Sequence, residues 1–441
     1  MAVVAYVLVR TRFYSVIVEK SHSFKSQISL IILFAAFTVY GVLIAIPIAG
    51  GFVALGHIGQ IIGGLMAGPI VGTCVGLLIA AHRWSLGGFS VIPATLSVVL
   101  VGLFAGLYAV WRKTVRYSPL EVAALIALLE LFSSGLTFLL VPDFNQAFIL
   151  ENRIRLPMTI GHMIAGAVFM LIINNMIEER QAREAKEKIE SELGVARNIQ
   201  MSMVPKTFPA FPHLPEFDVY AVLKPAKEVG GDFYDFFFTD NDHICFAIGD
   251  VSGKGVPAAL FMAVTRTLLK SHVNRDTTID KSMFKVNNDL CEGNDACMFT
   301  TLFSGILNIR TGEISYSNAG HNYPYISRKD GTLEMISTAN SVALGCMEEA
   351  PYSTGAIMLS EGDTLVLYTD GVSEAMNKKL EFFTEARLEA AIQKCVQSSP
   401  HDTINSIMSD IDGFVSGAAQ SDDITLLVLT YNGNKPAGQS A

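Results

Sequence analysis

Charge is what this 441-residue chain has least of. Charged residues make up 17% and apolar ones 51%, against roughly 25% charged in an average soluble protein. Residues 26–82, a run of 57, contain no Asp, Glu, Lys or Arg. That excludes a single soluble core: the length implies two or more domains, and one of them is built for lipid. Cysteine is sparse too. The six thiols (Cys74, Cys245, Cys291, Cys297, Cys346, Cys395) show no C-x-x-C spacing, which disfavours a structural zinc site or a disulfide framework and leaves buried free thiols in a reducing compartment. A nucleotide-cradling loop is missing as well. In GDVSGKG only three residues separate Gly249 from Gly253, and Gly255 stands where Ser or Thr should follow Lys254 to hold magnesium. The opening MAVVAYVLVR is apolar before it is basic, the reverse of a secretory signal, and is expected to be retained.

The charges that exist are unevenly placed. Residues 1–177 carry 10 Lys/Arg against 5 Asp/Glu, and the remainder 22 against 36. An acidic second half excludes non-specific nucleic-acid binding, which needs basic surface. The uncharged run is long enough for two membrane crossings. Segments 86–110, 119–141 and 156–177 add three more, and 2–18 is a weaker first helix interrupted by Arg10 and Arg12. Residues 1–177 thus read as a bundle of five or six transmembrane helices. Arg112, Lys113 and Arg116, with Arg180, Arg183, Lys186 and Lys188, place two helix ends on the cytoplasmic side. Arg10, Arg12, Lys20 and Lys25 do not fit that scheme, so either the stretch around Gly63, Gly64, Gly68 and Pro69 is a broken or re-entrant helix or the N-terminal part is a poor guide. Intramembrane charge is costly and usually functional, which singles out Arg83 and Glu130. Either Arg83, with His82, Trp84 and Ser85, lines a pocket for a small anion such as a carboxylate, or it anchors at the interface while Glu130 pairs within the bundle.

Residues 178–205 form a charged helix with little to bury alone. Ile189, Leu193, Ala196, Gln200 and Met203 alternate at spacings of four and three, the seam of a short dimeric coiled coil; the other reading is a solvated spacer. Pro205, Pro209, Pro212 and Pro215 end it. Residues 206–432 then change to short strands (218–223, 233–238, 244–248, 302–308, 314–318, 364–368, 424–430) and helices (256–271, 280–290, 381–393, 403–414), an α+β layered pattern followed by a tail at 433–441.

Four acidic motifs stand out here: VGGDFYD (Asp232, Asp235), IGDVSGKG (Asp250), LYTDGVSEA (Asp370, Glu374) and QSDDITLLVL (Asp422, Asp423). Three put an aspartate at the end of an apolar strand, beside glycine or a turn. Strand ends hold side chains firmly, and glycine lets carbonyls and water approach. Converging carboxylates repel unless a cation sits among them, and hard oxygen ligands suit Mg2+ or Mn2+. One such motif alone is an ordinary turn; the combination is specific.

VGGDFYDFF, GDVSGKGVPAALFMA, NAGHNYP, LYTDGVSEA and SDDITLLVL together resemble the SpoIIE-type branch of the PPM family of metal-dependent serine/threonine protein phosphatases, and ELGVARNIQMSMVP resembles the linker of RsbU-like regulators. The resemblance implies a central β-sandwich flanked by helices and two Mg2+ or Mn2+ ions. Asp250 would bridge the ions, the Val251 carbonyl would ligate one, Asp232 would serve the second directly or through water, and Asp370 and Asp422 would hold the first. Asp422 is preferred to Asp423 because it stands first in the D-[ND]-x-T pattern. Asp250 and Asp370 would carry the catalysis. Lys227 either attracts the phosphoryl group or is an ordinary surface lysine, and His321 is either a general acid or part of a structural turn. The segment IIGGLMAGPIVGTCVGLLIAAHRWSLGGFS resembles LytS-type multi-helix sensor modules, which implies an unidentified small ligand or envelope signal. The expectation is an inner-membrane, multi-pass, homodimeric receptor phosphatase in contact with membrane lipid. Its cytoplasmic domain would act on a phosphorylated regulatory protein such as a STAS-type anti-sigma-factor antagonist, with no role for nucleic acid. The competing expectations are a catalytically silent phosphoprotein-binding module and a transporter with a regulatory domain.

Overall fold

The computed structural model describes residues 2–11, 13–14, 24–43, 46–48, 51–53, 57–338 and 340–434. Arg12, Lys20 and most of the expected tail, 435–441, lie outside the described residues. The chain divides into two compact units, Met1–Glu187 and Lys188–Ala441.

The first unit contains α1 (Ala2–Arg10), α2 (Phe24–Leu43), a two-stranded antiparallel pair β1 (Ile46–Ile48) and β2 (Gly51–Val53), α3 (Ile58–Ala67), α4 (Pro69–Leu86), α5 (Val91–Arg112), α6 (Pro119–Leu140) and α7 (Phe144–Leu150). A π-helical turn (Glu151–Arg155) leads into α8 (Leu156–Met203), which runs through the boundary between the units. Among the described residues four spans are long and apolar enough to cross a membrane, in α2, α5, α6 and the stretch Phe144–Met203. The expected two crossings of the uncharged run are instead three helices, because the chain breaks at Gly68. Its φ of 89° suits glycine, and Pro69 starts the next helix, where its missing N–H costs nothing.

Small residues bring these helices into backbone contact. A Cβ on Gly72 would stand 2.2 Å from the Gly102 carbonyl, and one on Gly106 would stand 2.2 Å from the Pro69 Cα. In lipid such close packing replaces the hydrophobic effect as the force joining helices. The outer faces carry Ile92, Leu107, Leu128, Leu131 and Leu139, all exposed, as an apolar solvent allows.

The second unit is a β-sandwich with helices on both outer faces. One sheet runs β10 (Asn340–Ser341), β7 (Glu313–Ala319), β6 (Thr300–Asn308), β5 (His243–Val251), β4 (Phe233–Phe238), with β11 (Gly355–Met358) also on β7. The other runs β3 (Phe217–Lys224), β13 (Ile424–Tyr431), β12 (Thr364–Tyr368), β8 (Tyr325–Ser327), β9 (Leu333–Met335). The period-two side-chain alternation of strands, with both faces covered, explains why β12 and β13 are apolar through their centres. Leu365, Leu367, Leu427 and Leu429 enter the core between the sheets. Val366, Tyr368, Leu426 and Val428 face a second core with α12 (Glu385–Gln393) and α13 (Pro400–Val415). Helices α9 (Val256–His272) and α10 (Ile279–Cys291) contribute Met262, Leu269, Met283 and Val286 to the first core. The expected helix at 381–393 begins only at Glu385. Asn377 Oδ1 accepts the backbone N–H groups of Lys379 and Glu381, fixing a turn that competes with helix.

Asp235 is spent on structure. It is buried on β4 and ion-paired to Arg266 of α9, with Nη2 2.9 Å from Oδ2. Removing one partner of a buried pair leaves an uncompensated charge, costing about 3 kcal/mol or more. Arg266→Met is therefore expected to destabilise the sandwich by about that amount, and Arg266→Met with Asp235→Leu to recover much of it; hydrogen exchange of the β4 amides under increasing urea measures both.

Candidate metal centre

The motif aspartates meet at one end of the sandwich. Asp232 follows the β3–β4 loop, Asp250 stands at the end of β5, Asp370 opens the short helix α11 (Asp370–Ser373) directly after β12, and Asp422 and Asp423 precede β13. Each is delivered by a strand held in register on at least one side: Phe233 lies opposite Gly249, Asp250 opposite Thr301, and Tyr368 opposite Leu426.

Glycines make the approach possible. A Cβ on Gly231 would lie 2.8 Å from the Val251 carbonyl oxygen, and one on Gly371 only 1.8 Å from the Asp423 carbonyl. The first glycine keeps the Val251 carbonyl open, and the second lets α11 and the start of β13 close together. Gly253 and Gly255, with φ of 84° and 81°, turn the chain from β5 into α9. That turn, rather than phosphate cradling, accounts for GDVSGKG.

The electrostatics are those of crowded negative charge. Burial, then repulsion from Asp370, pushes the Asp250 carboxyl up to about 7, although a hydrogen bond from Asp232 opposes the shift. Burial and the charges of Asp250 and Asp423 raise Asp232 well above the carboxylate range. Asp370 is raised by burial, Asp422 and Glu374. Two hydroxyls that motif reading had not singled out hold Asp232 in place: Thr369 Oγ1 at 2.7 Å and Thr425 Oγ1 at 2.5 Å both donate to its Oδ2. Thr425 is the threonine of the D-[ND]-x-T pattern, so the signal was in the sequence.

The adjacent Asp422 and Asp423 have separate fates. Asp423 is buried, and accepts the backbone N–H of Ala226 at 2.8 Å on Oδ1 and that of Gly231 at 2.8 Å on Oδ2. It braces the β3–β4 loop. Asp422 faces the cluster, with Lys254 Nζ 2.8 Å from its Oδ2. Lys254, which closes the GDVSGKG turn, also donates to the Ser421 carbonyl at 2.7 Å. Lys227 is exposed on the β3–β4 loop. His321 is buried, with Nδ1 2.9 Å from Thr301 Oγ1, and its backbone N–H donates to Asn318 Oδ1 at 2.7 Å. Burial lowers its imidazole to about 4, so it is neutral at pH 7 and belongs to the turn.

Among the described residues no group of three or more Asp, Glu, His or Cys side chains is arranged to hold a metal ion. The donor set nevertheless fits divalent cations in kind. It consists of carboxylates whose mutual repulsion a cation relieves, plus a carbonyl kept accessible by Gly231. Asp232, Asp250, Val251, Asp370 and Asp422 are the residues that would hold them.

In the first unit, Glu130 is buried and its Oε1 lies 2.8 Å from His162 Nδ1; the His162 ring stacks on His57 with centroids 5.9 Å apart. Arg83 and Arg155 are within electrostatic reach of His57. Glu130 is within electrostatic reach of the same ring. His82, Trp84 and Ser85 are exposed and take no part in this group.

The β3–β4 brace and the cluster-facing carboxylate separate by mutation. Asp423→Ala leaves buried amides unpaired and is expected to cost about 2 kcal/mol, read as faster exchange of the Gly231 amide. Asp422→Asn is expected to spare the fold and weaken Mn2+ binding, read by calorimetry.

Comparison with known proteins agrees with this architecture. Residues 240–432 match the family Stage II sporulation protein E (SpoIIE), and residues 11–176 match 5TMR of 5TMR-LYT. Protein IcfG of Synechocystis sp. is 31% identical over 290 residues, covering 59% of this chain and 45% of IcfG, so the chain spans under half of that relative. Phosphoserine phosphatase RsbU of Bacillus subtilis is 29% identical over 277 residues, covering 62% of this chain and 81% of RsbU. The SiaA-PP2C domain of Pseudomonas aeruginosa shares the fold, with a TM-score of 0.50 at 21% identity over 56% of this chain and 98% of that domain. The chain therefore joins a 5TMR-LYT membrane sensor domain to a SpoIIE-type domain of the PPM serine phosphatase family.

Proposed function

We propose that the second unit hydrolyses phosphoserine or phosphothreonine on a regulatory protein, using two Mn2+ or Mg2+ ions, under control of the membrane domain. The observation that carries this reading is the convergence of Asp232, Asp250, Asp370 and Asp422 with the Val251 carbonyl at one end of the sandwich, where Asp250 repels Asp232 and both Asp370 and Asp422 repel Asp250. When bound, two such ions activate a water for in-line attack on phosphorus and neutralise the phosphoryl oxygens. The protein's part is positioning. Asp250 has Asp370 and the hydrogen-bonded Asp232 as carboxylate neighbours and would share the holding of cations with them. Thr369 and Thr425 fix Asp232, and Lys254 orients Asp422. The water's oxygen joins phosphorus, the serine or threonine oxygen leaves with a proton, and inorganic phosphate is released.

The phosphoserine phosphatase RsbU among the relatives supports the substrate class. A phosphorylated STAS-type anti-sigma-factor antagonist is our choice of partner, on the resemblance to RsbU-like regulators. We place the phosphatase unit in the cytoplasm and the helices in the inner membrane, as a homodimer. The buried pair Glu130 and His162, with half-buried His57, Arg83 and Arg155 within electrostatic reach, is our choice of place for the unidentified small ligand. A silent phosphoprotein-binding module is disfavoured because all four motif aspartates converge.

The full chain in detergent should hydrolyse a phosphoserine peptide or p-nitrophenyl phosphate only with Mn2+ or Mg2+. Chelation with EDTA is expected to stop turnover, and Asp250→Ala or Asp370→Ala to lower kcat/KM by about a thousandfold or more; phosphate release measures both. Full activity in both variants, or turnover in EDTA, refutes the mechanism.

A further inference from the structure

The short hairpin that follows α11 exposes apolar side chains that the fold does not use. Residues 375–383 turn back on themselves: the Phe383 N–H donates to the Ala375 carbonyl, Met376 pairs with Phe382, and the Leu380 N–H closes the turn on the Asn377 carbonyl at 2.9 Å. Side chains alternate across such a ribbon. Ala375 and Phe383 enter the core with α12 and α13, so Met376 and Phe382 face outward. Phe382 is 48% exposed, and Leu380 at the tip is 77% exposed. Lys378 and Lys379 beside it are exposed too.

Leu380 is an unfavourable residue for this turn. Its φ of 62° is left-handed, a conformation that glycine or asparagine adopts at lower cost. A strained side chain kept in solvent gains nothing from packing, and strain of this kind gathers at functional sites. The turn itself is well braced. Asn377 Nδ2 donates to Glu381 Oε2 at 2.8 Å, and Arg387 Nη1 donates to the Phe382 and Phe383 carbonyls at 2.9 and 3.2 Å. The Arg387 guanidinium lies 4.3 Å from the centroid of the Phe414 ring. An element already fixed in shape loses little entropy on binding.

The feet of the hairpin stand on the metal centre. The Thr384 N–H donates to the Ser373 carbonyl at 2.7 Å, and the Glu374 N–H donates to the carbonyl of Asp370, a candidate ligand, at 2.7 Å. A Cβ on Gly417 would stand 3.9 Å from Lys378 Nζ, so the turn neighbours the segment that leads into Asp422. A protein whose phosphoserine reached the cluster would lie against this tip.

We propose that Met376, Leu380 and Phe382, with Lys378 and Lys379, form the docking element that selects the phosphoprotein substrate. Its counterpart is an apolar patch bordered by acidic side chains, close to the phosphorylated residue. The apolar groups supply the contact, and the lysines orient it, since charge at an interface governs register and encounter more than affinity. The metal cluster reads the phosphoryl group, and the hairpin reads the protein that carries it. This proposal rests on the metal-phosphatase reading above.

The test uses the full chain in detergent and, as its probe, phosphoproteins extracted from cells carrying Asp370→Asn, in which the substrates stay phosphorylated. Leu380→Gly removes the tip side chain and relieves the turn without lowering the Tm; Phe382→Ser removes the second apolar contact. Both variants should hydrolyse p-nitrophenyl phosphate in Mn2+ with the wild-type kcat and KM. The phosphosites that the wild-type chain removes should be lost about tenfold more slowly, as when one anchoring side chain leaves an interface. Benzoylphenylalanine in place of Leu380 should cross-link those same phosphoproteins on irradiation. An equal loss on p-nitrophenyl phosphate and on the phosphoproteins makes the hairpin purely structural and overturns the proposal, as does cross-linking only to a second copy of the chain or to phospholipid. A wild-type chain that hydrolyses neither probe removes the metal-phosphatase reading itself. A wild-type chain that hydrolyses both, at rates the variants match, removes the docking role alone.

Discussion

Mutual repulsion among carboxylates is the constraint on which the second unit is organised. Burial raises the proton affinity of Asp232, Asp250 and Asp370, and neighbouring carboxylates add to it: Asp250 for Asp232, Asp370 for Asp250, and Asp422 for Asp370. Side chains that repel stay together only where the backbone gives them no alternative. Each therefore stands at the end of a strand or the first turn of a helix. The auxiliary residues serve the same purpose: Thr369 and Thr425 donate to Asp232, Lys254 pairs with Asp422, and Asp423 turns inward to hold the loop that carries Asp232.

The membrane unit solves a different problem with different residues. Its helices gain little from hiding apolar side chains, since lipid accepts them, and instead approach backbone to backbone at Gly72, Gly102 and Gly106. Its polar groups are few, and several gather at Glu130, His162 and His57. Uncompensated charge is expensive in either unit. In the membrane it is answered by internal pairing, and in the sandwich by a donor set suited to cations.

Most of the architecture was legible because both periods are strong. Strands 233–238 and 364–368 were read with their ends in place, as β4 and β12 show. Gly68 followed by Pro69 marked the helix break. The short strands β8 to β11, of two to four residues, carry too little pattern to be seen, and Asn377 delayed α12 through a side-chain turn that periodicity does not register. In the site, the four motifs singled out aspartates that the fold gathers at one end of the sandwich; of the hydroxyl pair on Asp232 only Thr425 carried a sequence signal, and the brace made by Asp423 carried none.

By itself the sequence determined which residue types are present and at what local spacing: a lipid-compatible first half, strands ending in aspartate and glycine, and a helix between the two halves. Those are properties of neighbours along the chain, fixed by hydropathy and backbone sterics. Only the tertiary structure decided that Asp423 turns inward to brace a loop and that Gln200 points at Gly230. Those outcomes depend on hydrogen-bond partners distant in sequence, such as Gly231 for Asp423 and Gly230 for Gln200. A side chain's role is set by the unpaired group the fold brings to it.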